Sequence, residues 1–171
     1  MTKQQPVINE KSELKAIFLD RDGVINKMYK GDWVRNWEQF VWLPGAKEAL
    51  ALIKEKGLLC IVITNQSCVG RGIVSRETVD DINRRMVAEV KTSGGRIDAI
   101  YICPHRPDEG CACRKPATAN FEKAMKEFDL TPEEFIYIGD NESDREAARR
   151  VGCRYEMADK KKALLDIVET L

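Results

Sequence analysis

Ala16-Ile17-Phe18-Leu19-Asp20-Arg21-Asp22-Gly23-Val24-Ile25-Asn26 is the stretch on which the fold turns. Its four leading apolar residues do not alternate with polar ones. They predict a strand covered on both faces, as in the parallel sheets of α/β proteins. Gly23 punctuates the run. Asp20 and Asp22 therefore fall at the carboxyl end of a strand, where open α/β sheets bind ligands. Alone, D-x-D is more often a capped turn than a site. Two carboxylates in a dry cleft repel each other, however, unless a cation relieves them, and Mg2+ takes oxygen donors. Beside such a cation Asp20 has the chemistry of a nucleophile toward phosphorus. Asp22 has that of a general acid and base.

Outward from this stretch, apolar runs recur at residues 58–63, 99–102 and 135–138, with a weaker edge strand at 153–157. Helical spacing of apolar residues predicts helices over 44–56, 75–92, 117–128, about 144–151 and 160–171. Pro44 stands at the first turn of the first helix, and Gly57 stops it. Strands alternating with helices define an α/β class: a three-layer, Rossmann-like parallel sheet of about five strands. Residues 15–171 read as one domain, and residues 1–14 as a polar extension.

Composition narrows the possible functions. The 171 residues carry 28 basic and 28 acidic side chains, so no global basic field draws the chain to nucleic acid or membrane. No apolar run approaches the roughly 20 residues of a membrane span. The start of the chain lacks the apolar core of a signal peptide, which points to the cytoplasm and reduced thiols. Six cysteines are then ligands or core residues. Cys60 and Cys153 read as core.

The other strand ends carry polar groups too. Residues 58–63 run into Thr64-Asn65-Gln66-Ser67, whose hydroxyls and amides can hold phosphoryl oxygens without adding charge. Arg71 lies in the glycine-bearing turn beyond. Residues 99–102 run into a loop, 103–113, that brings Cys103, Cys111 and Cys113 around the only histidine, His105. Three thiolates and an imidazole make a closed tetrahedral Zn2+ set with a structural role. Lys115 and Arg114 follow at once, placed to neutralise and to clamp phosphate oxygens. Residues 135–138 run into Gly139-Asp140-Asn141-Glu142-Ser143-Asp144. Asp140 can share Mg2+ with Asp20 and the Asp22 carbonyl. Asp144 can orient Lys115 or a metal-bound water. Tyr29, Trp33 and Trp37, on a loop above the strand ends, either shape a pocket or pack over the domain edge.

Four motifs in order, D-R-D-G, T-N-Q-S, R-K-P and G-D-x-x-x-D, resemble those of the haloacid dehalogenase-like phosphohydrolases. With the zinc loop, the pattern is similar to a zinc-bearing subgroup that acts on heptose bisphosphate and on histidinol phosphate. The resemblance implies a fold without a large cap domain and hydrolysis of a small sugar phosphate through an aspartyl-phosphate, foremost the C7 phosphate of a heptose 1,7-bisphosphate. It implies catalytic roles for Asp20, Asp22, Thr64 and Lys115. The Mg2+ ligands would be Asp20, Asp22 through its carbonyl, and Asp140; the Zn2+ ligands Cys103, His105, Cys111 and Cys113. Substrate contacts would come from Arg21, Asn65, Gln66, Ser67, Arg114 and Asn141, with residues 28–31 near them. The expected partner is a small phosphorylated metabolite, with no nucleic acid or membrane, bound by a monomer. Cys68 stands where glycine often follows T-N-Q-S, and the short gap inside the zinc loop resembles the histidinol-phosphate branch. A zinc-clipped binding module without turnover is the reading from another class.

Overall fold

The computed structural model describes residues 13–171, so residues 1–12 of the expected extension lie outside the described residues. Five strands, β1 (Ala16–Leu19), β2 (Leu59–Asn65), β3 (Ala99–Cys103), β4 (Phe135–Gly139) and β5 (Arg154–Met157), pair in parallel in the order β3-β2-β1-β4-β5. Five α-helices accompany them: α1 (Ala46–Glu55), α2 (Arg76–Thr92), α3 (Ala119–Phe128), α4 (Glu142–Val151) and α5 (Leu164–Glu169).

The layers follow from strand geometry. Successive side chains of β1 point to opposite faces. Ile17 and Leu19 pack with Leu50, Ile53, Met86 and Ile167 of α1, α2 and α5, while Ala16 and Phe18 pack with Phe121 and Ala148 of α3 and α4. Both faces are covered, which is why the β1 run is apolar throughout. Phe18 lies stacked on Phe135 at a centroid distance of 4.0 Å, locking β1 to β4. Leu14 packs against the layer that holds Ile17 and Leu19.

Several expected boundaries shift, each for a local reason. Pro44 precedes α1 instead of opening it, because Gly45 takes the N-cap position with φ of 75°. Strands β2 and β3 run through Thr64-Asn65 and Cys103, because parallel pairing of Thr64 with Ile102 and of Asn65 with Cys103 extends the ladder into the polar residues. Residues 117 and 118 stay outside α3, where Ala117 N–H closes a turn on Arg114 O and Ala119 N–H reaches back to Ala112 O. The terminal helix begins only at Leu164. Asp159 accepts backbone N–H bonds from Lys161 and Lys162, and that turn replaces the expected first helical residues.

Strand order decides where a ligand goes. From β1 the chain moves outward to β2 and β3 on one side, then to β4 and β5 on the other. The crevice between β1 and β4 at their carboxyl ends is the topological switch point. Leu19 pairs with Ile138, and Asp20 N–H bonds Ile138 O at 2.9 Å. Asp20 and Asp140 thus leave adjacent strand ends together.

Candidate active site

Three carboxylates meet at this switch point. Oxygens of Asp20, Asp140 and Asp144 all lie within 4.8 Å of one another. Lys115 is buried among them, with Nζ 3.0 Å from Asp20 Oδ1 and 2.8 Å from Asp144 Oδ1. The same ammonium donates to Tyr137 Oη at 2.8 Å and to Ile63 O at 3.0 Å. Tyr137 Oη donates to Asp144 Oδ1, and Asp144 Oδ2 accepts Asp140 N–H. Asp144 is therefore fully engaged in holding Lys115 and the β4 end. Asp20 and Asp140 are the carboxylates open to a cation.

The backbone makes room for this cluster. Gly23 sits at φ of 89°, and a Cβ there would meet Asp140 Oδ2 at 1.9 Å. A Cβ on Gly139 would meet Asp144 Cβ at 2.4 Å. Asn141 caps α4 by accepting Asp144 N–H and donates to Asp140 Oδ1 at 2.9 Å.

Electrostatics follow from burial and neighbours. Burial pushes the Asp20 carboxyl up to about 8, with Asp144 and Asp22 adding to the rise and Lys115 opposing it. Burial also raises Asp140. Burial works against charge on Lys115, yet Asp20 and Asp144 outweigh it and raise its pKa. A cluster this rich in carboxylate oxygen fits a hard divalent cation, which would relieve the repulsion between Asp20 and Asp140.

The Asp22 carboxylate faces elsewhere and is not part of the three-carboxylate cluster. It accepts from Arg21 Nη2 at 3.2 and 3.1 Å, Asn26 Nδ2 at 2.9 Å and Gln66 Nε2 at 2.6 Å. Burial opposes its charge, but these donors, Arg21 foremost, hold its carboxyl below the usual carboxylate range.

Above the carboxylates opens a cleft of about 340 Å3. Asp20, Asp22, Asn65, Ser67, Arg114, Lys115 and Asn141, all named as candidates from the sequence, line it. Arg21, Thr64 and Gln66 do not. Arg21 is buried and turned toward Asp22, and the Gln66 amide spans Asp22 and Thr64 Oγ1. As direct substrate contacts through their side chains, Arg21 and Gln66 are corrected to supports of Asp22. The Cys68 thiol donates to Gln66 Oε1 at 3.7 Å, fixing which end of that amide faces the carboxylate. Asn65 brackets the Lys115 backbone, accepting its N–H and donating to its carbonyl. Of the loop aromatics, Tyr29 and Trp33 line the cleft, while Trp37 stacks on Phe40 at 4.9 Å. Arg71 lies over the Trp33 ring at 5.5 Å.

Cys103, His105, Cys111 and Cys113 converge beside the cleft. Cys103 Sγ lies 3.6 Å from both His105 Nδ1 and Cys111 Sγ, Cys113 Sγ 3.3 Å from His105 Nδ1 and 3.7 Å from Cys111 Sγ. Tetrahedral Zn2+ with ordinary bond lengths separates its ligands by roughly 3.6 to 3.8 Å. Burial pushes the Cys111 thiol up, but backbone N–H groups of Cys113 and Arg114 and the neighbouring thiols bring it down to about 7. The loop is fastened from below, where Gln66 N–H bonds Cys103 O and Gly70 N–H bonds Pro104 O.

Two residues of this constellation lie outside the motifs. Tyr137 is the one hydroxyl in the apolar run of β4, and a buried hydroxyl demands a partner. Asn83 is the one amide on the buried face of α2.

A doubly wound sheet with carboxylates and a buried lysine at its switch point defines a hydrolytic, phosphoryl-handling class of enzyme. Residues 32–152 match the model of the haloacid dehalogenase-like hydrolases, and the chain belongs to that family. It is 41% identical over 137 residues to the D-glycero-alpha-D-manno-heptose-1,7-bisphosphate 7-phosphatase of Mycobacterium bovis, covering 80% of this chain and 72% of the relative. It is 35% identical over 140 residues to the D-glycero-beta-D-manno-heptose-1,7-bisphosphate 7-phosphatase of Bordetella bronchiseptica, covering 82% and 78%. The crystal structure of D,D-heptose 1,7-bisphosphate phosphatase from B. bronchiseptica, complexed with magnesium and phosphate, superposes with a TM-score of 0.85 at 29% identity, over 92% of this chain and 97% of that one. Among the described residues, no helix is long and apolar enough to cross a membrane.

Proposed function

We propose that this chain is a Mg2+-dependent phosphatase that removes the C7 phosphate of D-glycero-D-manno-heptose 1,7-bisphosphate. The observation that carries the reading is Lys115 Nζ held between Asp20 and Asp144 at 3.0 and 2.8 Å, at the floor of a cleft at the switch point. The heptose-1,7-bisphosphate 7-phosphatases among its relatives support the substrate.

An Asp20 oxygen attacks phosphorus, and the bond from phosphorus to the sugar oxygen breaks. The departing oxygen takes a proton from Asp22, which takes up that proton when the phosphate's negative charge arrives beside it. Water then attacks the aspartyl-phosphate, giving its proton to Asp22, and inorganic phosphate leaves with Asp20 restored. Lys115 balances charge at the transferred group, and Ser67, which lines the cleft just past β2, stands to hold its oxygens, with Thr64 Oγ1 behind it accepting from the Gln66 amide. Asp20, the Asp22 carbonyl and Asp140 would hold Mg2+, which supplies charge neutralisation at the phosphoryl oxygens. Cys103, His105, Cys111 and Cys113 would hold a structural Zn2+ that orders the loop leading to Arg114 and Lys115. The reduced thiols suit the cytoplasm, and the scattered exposure of Met28, Val41 and Ile73 suits a monomer.

Asp20→Asn tests the chemistry. The variant should fold, bind phosphate and lose turnover by more than about a thousandfold. Retained turnover would remove Asp20 as nucleophile. Rates on both heptose 1,7-bisphosphate anomers and histidinol phosphate test the substrate, and a preference for histidinol phosphate would overturn it.

A further inference from the structure

We infer that Asn83, in the middle of α2 and outside every sequence motif, is a positioning residue that aims Asp22 at the leaving oxygen through Arg21. The inference rests on the acid role of Asp22 proposed above.

Arg21 is 1% exposed and ranks among the largest fully buried side chains of the molecule. Its Nη1 donates to Asn83 Oδ1 at 2.9 Å. Only Nη2 reaches Asp22, contacting both carboxylate oxygens at 3.2 and 3.1 Å. An arginine free to choose grips a carboxylate with two parallel N–H donors. Here one of the two terminal nitrogens is taken by Asn83, which fixes the rotation of the guanidinium and leaves Nη2 alone facing Asp22. Asn26 and Gln66 close on the same carboxylate from other directions. Asp22 is thereby held in one orientation at the cleft wall, which it lines.

Nothing else in α2 accounts for the amide. Asn83 is 5% exposed on a face otherwise made of Val79, Ile82, Met86 and Val90. A leucine there would favour both helix formation and burial. Asn83 Nδ2 has no partner among the described residues, so the oxygen alone carries the interaction. Buried Arg21 in turn needs acceptors, and Asn83 Oδ1 and the Asp22 carboxylate are those it has.

The test compares leaving groups. Heptose 1,7-bisphosphate releases an alkoxide-like oxygen that needs a proton, whereas p-nitrophenyl phosphate releases a phenolate that does not. kcat/KM reports events up to departure of the leaving group, so the later hydrolysis step does not enter. For Asn83→Leu the value on the sugar substrate should fall about ten- to a hundredfold, while on p-nitrophenyl phosphate it stays within about threefold. Asn83→Asp keeps the acceptor oxygen in the same place and should restore the sugar rate to within about threefold. Equal losses on both substrates would make Asn83 a structural residue only. An undiminished sugar rate in Asn83→Leu, or failure of Asn83→Asp to restore it, would overturn the inference as well. Should Asn83→Leu not fold, Asn83→Ala serves the same comparison. If wild-type protein ignores the heptose substrate, that substrate assignment fails by itself, and glycerol phosphate supplies the alkyl leaving group for the same contrast.

Discussion

At the scale of single residues, the centre is an electrostatic compromise around Asp20. Its carboxyl, ordinarily near 3.8, is driven up to about 8 by burial. Between those values the folded protein retains a proton that the unfolded chain has released. Metal-free stability therefore falls as pH rises across that window. Cation binding requires the proton to leave, so competition between proton and Mg2+ weakens over the same range. Thermal melting should show a Mg2+-induced rise in Tm that is small at pH 5 and larger at pH 8. A shift independent of pH would remove Asp20 from the metal shell. Lys115 belongs to the same balance. Replacing it by methionine leaves the fully buried Asp144 carboxylate without its ammonium partner, which should cost about 3 to 5 kcal/mol in denaturant melts near neutral pH.

At the scale of elements, the site depends on how closely two strand ends approach. Gly23 is required twice over, by its φ of 89° and by Asp140 Oδ2, which fills the space of a Cβ. Gly23→Ala should cost about 1 to 2 kcal/mol in backbone strain alone. Because it also displaces the Asp140 carboxylate, Mg2+ affinity measured by titration should fall about ten- to a hundredfold. A variant that melts lower yet binds Mg2+ normally would show that Asp140 does not need its present position. The central strands β1, β2 and β4 were legible from their apolar runs, because burial on both faces leaves no alternative composition. Helix ends were less so. The start of α3 and α5 was decided by turns at Ala117 and Asp159 whose hydrogen bonds compete with the helix.

At the scale of the whole molecule, the loop carrying Cys103, His105, Cys111 and Cys113 joins two parts of the site. It runs from the β3 end to Arg114 and Lys115, pinned to the β2 end through Gln66 and Gly70. Elemental analysis should find about one zinc per chain. Stripping that metal with a chelator should leave the far-ultraviolet circular dichroism of the sheet nearly unchanged. It should open residues 103–113 to protease and lower kcat by loosening Lys115. A metal-free protein with a protected loop would refute the clip.

The sequence by itself determined the parallel sheet, the strand ends that carry polar groups and the clustering of three thiols with one imidazole on a single loop. Each is a local property: an unbroken apolar run, an aspartate at its end, or thiols and an imidazole within eleven residues of one another. Tertiary structure alone decided how those groups divide their work. It turned the Asp22 carboxylate away from Asp20 and Asp140, made Arg21 a buried support instead of a substrate contact, and enlisted Tyr137 and Asn83 from distant elements. Hydrogen-bond direction and charge pairing depend on which side chains packing brings within 3 Å, and spacing along the chain carries no record of that.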